Sequence, residues 1–382
     1  MGYRTHVGGQ VSNRLTVRKD LETVVCSVPR LFRRVSRCMY LIRHIFRRCS
    51  CGNLTKNLPM RIPRTLFHAE LIIILAGIWT IPCVLAAQAL QTMTPITLAG
   101  TIHSDSDDTL AFTPDGNTVF FDRSLGPHKT IMVAHRIGGH WSPAQIASFS
   151  GHWFDQDPVV APNGSYLLFD SDRPTHPEGK PLTQNYFAGG EGPGSNIWRV
   201  DRTGDAWGQP VWLDPTINRD VFVDFASLAS DGTLYFMLWN ARDKAMHIWR
   251  APYKGGKYLP PESVTLGDPA VSVHDPAVAP DQSFIVFDYG KAKGGLGRLC
   301  IAFRNGNGWS RPIDFGDALN EDLPWGSHLA PDGHSVYVTG QSGIRRISLD
   351  PWLKAHRIQE LKRRNSNIRK SAVLGKSGAP RL

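Results

Sequence analysis

Pro158-Val-Val-Ala-Pro-Asn-Gly164 joins a short apolar run to a tight turn, and the chain repeats that phrase. Four further copies are Leu110-Ala-Phe-Thr-Pro-Asp-Gly116, Ala226-Ser-Leu-Ala-Ser-Asp-Gly232, Pro276-Ala-Val-Ala-Pro-Asp-Gln282 and Ser327-His-Leu-Ala-Pro-Asp-Gly333. Their starts lie 48, 68, 50 and 51 residues apart. Pro presets φ, while Asn or Asp followed by Gly tolerates the positive φ of a hairpin turn. A strand-rich unit recurring every 40 to 50 residues or so is the signature of radial repetition.

Working outward from Gly164, residues Tyr166 to Asp170 read as a second strand and Asn196 to Val200 as a third. Trp207-Gly-Gln-Pro-Val-Trp-Leu213 reads as a fourth. Third strands are expected at Thr130 to His135, His247 to Ala251, Arg298 to Phe303 and Ile344 to Leu349. Fourth strands carry an aromatic residue and then Pro, as in Trp141-Ser-Pro143, Tyr258-Leu-Pro260 and Trp309-Ser-Arg-Pro312. Pro suits an outer edge, where a missing N–H costs little. The last repeat lacks a fourth strand, and Thr94-Pro-Ile-Thr-Leu98 has the matching pattern. The expected fold is all-β: a β-propeller of five four-stranded blades over residues 90–350, with the N-terminal strand closing the last blade and hiding the edges of an open array.

These phrases resemble the TolB-like propeller repeat (WD40-like, PD-type), whose blades read Asp-x-x-Pro-x-x-Ser-Pro-Asp-Gly before an alternating strand. The Asn196-Ile-Trp198 third strand and the Trp-x-x-Pro fourth strand fit it too. The resemblance runs from Thr94 to Asp350 and implies the propeller fold. TolB itself carries a separate α/β domain before its propeller, so TolB's role does not come with the resemblance.

Leu71 to Leu85 is a long apolar run, preceded by Arg61 and Arg64 and followed by Ala87-Gln-Ala89. Residues 60–89 therefore read as a signal peptide or signal anchor. Residues 1–59 hold 12 Lys/Arg, with Asp20 and Glu22 as their acids. They read either as a cytoplasmic basic arm or as sequence upstream of a true start at Met60. Both readings export the propeller to the periplasm or beyond, because positive charge stays inside.

The whole chain carries +10, yet residues 90–350 hold 20 Lys/Arg against 29 Asp/Glu. An acidic disc argues against a nucleic-acid surface. Cys300 is the one cysteine after residue 89, so neither an internal disulfide nor a thiolate metal cluster is expected there. Residues 351–382 are basic. Asp350-Pro351 reads as a helix start, with a helix over Trp352 to Arg364 and a polar, disordered tail from Asn365. Membrane contact is expected only through an uncleaved signal segment or this tail. No cofactor and a monomeric state are expected, and metal binding is left open.

Residues just ahead of each inner strand should ring one mouth of the axial channel: Asp108, Asp157, Asp224, His274 with Asp275, and Trp325 with Gly326. Like charges gathered there raise one another's pKa and suit a cation, a sugar or a basic peptide group. The same acids equally suit a structural role, tying blades together through backbone bonds. His152, Trp153 and Phe154 form a possible platform on the same face. The irregular Arg173 to Ser195 insertion, with Tyr186, is long for a compact domain unless it binds or covers something.

Gly340-Gln-Ser-Gly343 is not a nucleophile elbow, and neither a His-Glu-x-x-His, a P-loop nor a dinucleotide fingerprint occurs. The leading expectation is a non-catalytic scaffold that binds an envelope or extracellular protein, peptide or glycan at one mouth. A second is a polysaccharide-active glycosidase or lyase. Five-bladed arabinanase-type glycosidases have a similar carboxylate ring, which would make Asp157 or Asp275 the base and another acid, Asp224 or Asp108, the proton donor. That family uses a Glu donor, and the inner strands hold none. A lyase using His274 with a metal is a third.

Overall fold

The computed structural model describes residues 93–95, 101–102, 106–185, 191–240, 245–290, 297–322 and 324–376. The signal segment and Tyr186 lie outside the described residues. Five antiparallel sheets follow one another along the chain. Their inner strands are Asp107–Phe112, Asp155–Val160, Val223–Leu228, Val273–Val278 and Trp325–Leu329. Each inner strand lies beside the next, and the fifth lies beside the first, so the array is a closed ring.

The ring closes as the repeats require. Met93–Pro95 pairs antiparallel with Gly343–Ser348, Thr94 opposite Arg346, and supplies the outer strand of blade 5. The other outer strands are two residues each and begin after the prolines: Gln145–Ile146, Val211–Trp212, Glu262–Ser263 and Ile313–Asp314. The aromatic residue expected on each fourth strand stands earlier, before the proline. Trp141, Trp207 and Trp309 sit in small hairpins that extend the third strand, and Tyr258 sits in one that follows it. Pro cannot donate to the ladder, so it splits the edge into two short pieces.

Five apolar cores fill the five gaps between blades. Phe120, Phe149, Phe169 and Trp198 join blades 1 and 2; Leu168, Ile197, Leu234 and Phe236 join 2 and 3. Tyr235, Ile248, Ile285 and Phe287 join 3 and 4; Phe284, Val286, Val336 and Val338 join 4 and 5. Leu110, Phe121, Tyr337 and Ile344 close 5 onto 1. Second strands are covered on both faces, which is why they read as unbroken apolar runs such as Val119-Phe-Phe121 and Leu167-Leu-Phe169.

The repeated phrase is turn chemistry. In all five blades the residue at its end donates its N–H to the carbonyl three residues back, from Gly116 to Thr113 through Gly333 to Ala330. The Asp or Asn before it accepts the N–H two residues ahead, as Asp115 does from Asn117 and Asn163 from Ser165. Blade 4 has Gln282 where the others have Gly, and it still holds φ at 58°. Its side chain ties that turn to blade 3, accepting from the Tyr235 hydroxyl at 2.8 Å and donating to Asp231 at 2.9 Å.

The C-terminal helix runs Asp350–Lys376, beyond the expected end at Arg364. Residues 365–376 contain no proline and continue the helical backbone where a disordered tail was expected. Cys300 is buried, on the third strand of blade 4.

Candidate functional site

The mouth residues do not precede the inner strands; they lie within them, at a bulge repeated in every blade. Register shifts fall between Asp108 and Ala111, Gln156 and Val159, Asp224 and Ser227, His274 and Ala277, and Trp325 and His328. The residue at the bulge takes positive φ each time: Thr109 (40°), Asp157 (49°), Phe225 (53°), Asp275 (50°) and Gly326 (66°). Asp108, Asp224, His274 and Trp325 therefore share one register position with Gln156. Asp157 and Asp275 occupy the strained position itself. Bulges re-aim side chains and free a backbone N–H from the ladder.

Those freed N–H groups bridge blades. Phe225 donates to Asp170 Oδ2 of blade 2 at 2.6 Å, Gly326 to Asp275 Oδ2 of blade 4 at 2.8 Å, and Asp275 to the Met237 sulfur of blade 3 at 3.1 Å. Thr109 donates to Thr339 Oγ1 of blade 5 at 3.4 Å. Asp275 thus takes the blade-tying role weighed from sequence. The other ties come from second-strand residues.

Second strands also bring carboxyls that the sequence reading passed over. Asp122, Asp170 and Asp288 end the Phe-Asp pairs at 121–122, 169–170 and 287–288, all fully or nearly fully buried. That recurring dipeptide, hydrophilic at the end of a core strand, was the available signal. Lys129 contacts Asp122 at 2.6 Å and Asp108 at 3.1 Å, while the Thr109 hydroxyl donates to Asp122. Asp224 accepts from the Ser195 hydroxyl at 2.9 Å and from Gln156 at 3.4 Å.

One oxygen from each of Asp157, Asp170 and Asp224 lies within 4.8 Å of the others, all three residues being buried. Asp170 Oδ1 is sealed without a hydrogen-bond partner. Burial, then Asp122 and Asp224, pushes the Asp157 carboxyl well above the usual range; burial, then Asp224 and Asp157, does the same to Asp170. Burial lifts Asp275 to about 6, and burial followed by Asp275 raises Asp288. Asp108 is raised by burial against the pull of Lys129. Burial opposes charge on Lys129, yet Asp122, Asp157 and Asp108 outweigh it and hold the ammonium charged. Oxygens so spaced suit a proton shared between carboxyls or a hard, oxygen-seeking cation.

At the register position before the bulge, Asp108, Gln156, His274 and Trp325 stay partly exposed, as does Asp275 at the bulge itself. Burial holds His274 down to about 4 and therefore neutral. Phe222 and Trp239 pack beside Phe225, Met237 and Met246 at blade 3. His152 is exposed, and Trp153 and Phe154 are half-buried on the connection entering blade 2. The insertion forms a hairpin, Thr183–Asn185 with Glu191–Pro193, and Ser195 bridges to Phe222 of blade 3.

A hollow of about 150 Å³ lies at the other end of the inner strands, away from the acids. It is rimmed by the turn prolines Pro114, Pro162, Pro280 and Pro331, and lined by Ser227 and His328. The acids therefore lie at the opposite end of the inner strands from this hollow.

No family model and no curated protein matches the chain. Among solved structures, a protein described as TolB from Agrobacterium tumefaciens is 15% identical, with a TM-score of 0.40, over 61% of this chain and 69% of that one. The chain is similar in fold to TolB-like propellers. TolB from Acinetobacter baumannii matches at 15% identity and a TM-score of 0.34, over 64% of this chain and only 43% of its own. A gluconolactonase from Xanthomonas campestris, XC5397, matches at 13% and 0.36, over 66% of this chain and 88% of that one. The likeness extends to the propeller fold and stops there.

Proposed function

We propose that the protein is an exported, non-catalytic binding scaffold that takes a protein, peptide or glycan segment at the acidic mouth of its channel. The observation that carries this is the ring of unlike, partly exposed side chains over a sealed acidic layer: Asp108, Gln156, His274 and Trp325. A carboxylate, an amide, a neutral imidazole and an indole supply directional contacts and apolar area. The acids beneath favour a segment with a positive or hydrogen-bond-donating group. Polysaccharide hydrolysis fits less well. It needs two carboxyls reachable from a glycosidic bond, whereas Asp157 and Asp224 are 8% and 7% exposed and Asp275 is engaged with Gly326.

The test is capture by the full chain on arrays of peptides and glycans, with polysaccharide turnover measured in parallel. Selective capture that is lost in Trp325→Ala and Asp108→Asn, without a change in melting temperature, supports the scaffold. Turnover abolished by Asp275→Asn or Asp108→Asn replaces it with an enzyme.

A further inference from the structure

Blades 1 and 2 meet the same electrostatic problem differently. In blade 1, Asp122 and Asp108 share the ammonium of Lys129, at 2.6 Å and 3.1 Å. Asp122 pairs in register with Ile131, and Asp170 with Ile197. Lys129 stands two residues before Ile131, and Ser195 stands two residues before Ile197. Blade 2 therefore carries a hydroxyl where blade 1 carries a cation.

Three carboxyls meet at this place instead of two. An oxygen from each of Asp157, Asp170 and Asp224 lies within 4.8 Å of the others. Among the described residues, none of the three has a Lys, Arg or His ion-pair partner. Asp224 takes the Ser195 hydroxyl and the Gln156 amide. Asp170 is 0% exposed, and its Oδ2 takes the Phe225 N–H. Its Oδ1 has no donor. A sealed carboxyl oxygen beside two further carboxyls is costly unless a proton or a cation sits among them.

We propose that Asp157, Asp170 and Asp224 bind one calcium ion, which does for blades 2 and 3 what Lys129 does for blade 1. Calcium takes oxygens at about 2.3–2.6 Å, so two of its ligand atoms can stand about 5 Å apart. The spacing of the three carboxyls fits that limit. Magnesium keeps several waters and usually takes one or two carboxylates, which suits this closed place less well. Asp157 and Asp224 retain 8% and 7% exposure, which gives the ion a way in. The inference holds whether or not the mouth captures a segment.

The test titrates calcium, and separately magnesium, into the chelator-stripped full chain by calorimetry, and follows the melting temperature. One calcium ion should bind per chain. At a hundredfold excess over its dissociation constant, the melting temperature should rise by about 5 °C. Magnesium should bind about tenfold more weakly. Asp157→Asn keeps a residue that tolerates positive φ and removes one ligand charge, so calcium binding should weaken about tenfold. Ser195→Lys places an ammonium where blade 1 has one, and should abolish the calcium-dependent rise. If that chain does not fold, Asp157→Asn decides alone. No rise with calcium, a rise that survives Asp157→Asn, or equal binding of magnesium overturns the proposal. Peptide and glycan capture is a separate readout, so failure here leaves the scaffold reading standing.

Discussion

Asp170 Oδ2 accepts the backbone N–H of Phe225 at 2.6 Å, so a side chain of blade 2 holds a strained residue of blade 3 in place. Phe225 keeps φ at 53°, a conformation that costs a bulky residue on the order of 1–3 kcal/mol and persists only when its surroundings enforce it. Removing the acceptor strands a buried donor as well. Asp170→Ala should destabilise the protein by about 2 kcal/mol. Asp170→Asn keeps an acceptor oxygen and removes one of three crowded carboxyls, so it should be neutral or stabilising. Chemical denaturation of the two variants side by side checks the contrast.

Arg173 and Asp155 form a buried ion pair at 2.7 Å, with the guanidinium lying over the Phe169 and Trp198 rings. Asp155 also accepts from the Ser150 and Ser171 hydroxyls. Arg173→Ala leaves a sealed carboxylate without its cation and should cost about 3–5 kcal/mol. Arg173→Met combined with Asp155→Leu should cost clearly less than the two single losses added together. Melting curves of the three variants measure the coupling.

Two buried histidines should each contribute a term to stability that is lost in acid. Burial holds His274 and His328 each down to about 4 from an ordinary 6.5. Between those values the unfolded chain binds protons that the folded chain refuses. Their contribution is therefore complete above pH 6.5 and lost as pH falls toward 4. Asp275, lifted from 3.8 to about 6 by burial, runs the other way, as do the raised carboxyls of Asp108, Asp157, Asp170, Asp172 and Asp288, so the histidine contribution is read by comparing variants with the native chain and not from the net acid limb. His328 Nε2 has no partner and its ring packs on Phe225 at 5.0 Å. His328→Phe should stabilise by ~1 kcal/mol at neutral pH and flatten the acid limb, as read from melting temperature against pH.

Loss of the closing strand should open the ring. Deleting residues 93–95 leaves Gly343–Ser348 as a bare edge, an invitation to intermolecular pairing. The melting temperature should drop by at least ~5 °C. Light scattering on heating should begin before the tertiary signal is lost.

The turns were legible because their chemistry is local. Pro, Asp and Gly in a fixed order specify a backbone path that neighbours need not rescue, and even Gln282 obeyed it. Ring closure was legible because a missing strand at one end matched a spare one at the other. The bulge was not, since Asp157 and Phe225 are unlike residues in one unusual conformation set by packing. Asp122, Asp170 and Asp288 looked like strand endings. Their position beside the axis emerges only when blades are set side by side. The outer strands failed for a related reason: Trp141 and its counterparts are packing residues, and the proline after each decides where pairing resumes.

The pairing of Met93–Pro95 with Gly343–Ser348 has a bearing on biogenesis. The ribosome delivers the two halves of that contact about 250 residues apart. Blades can collapse one by one as they emerge, but the wheel cannot lock until translation has passed Ser348. The first stave must therefore wait, unpaired, while all five inner strands of the wheel are made.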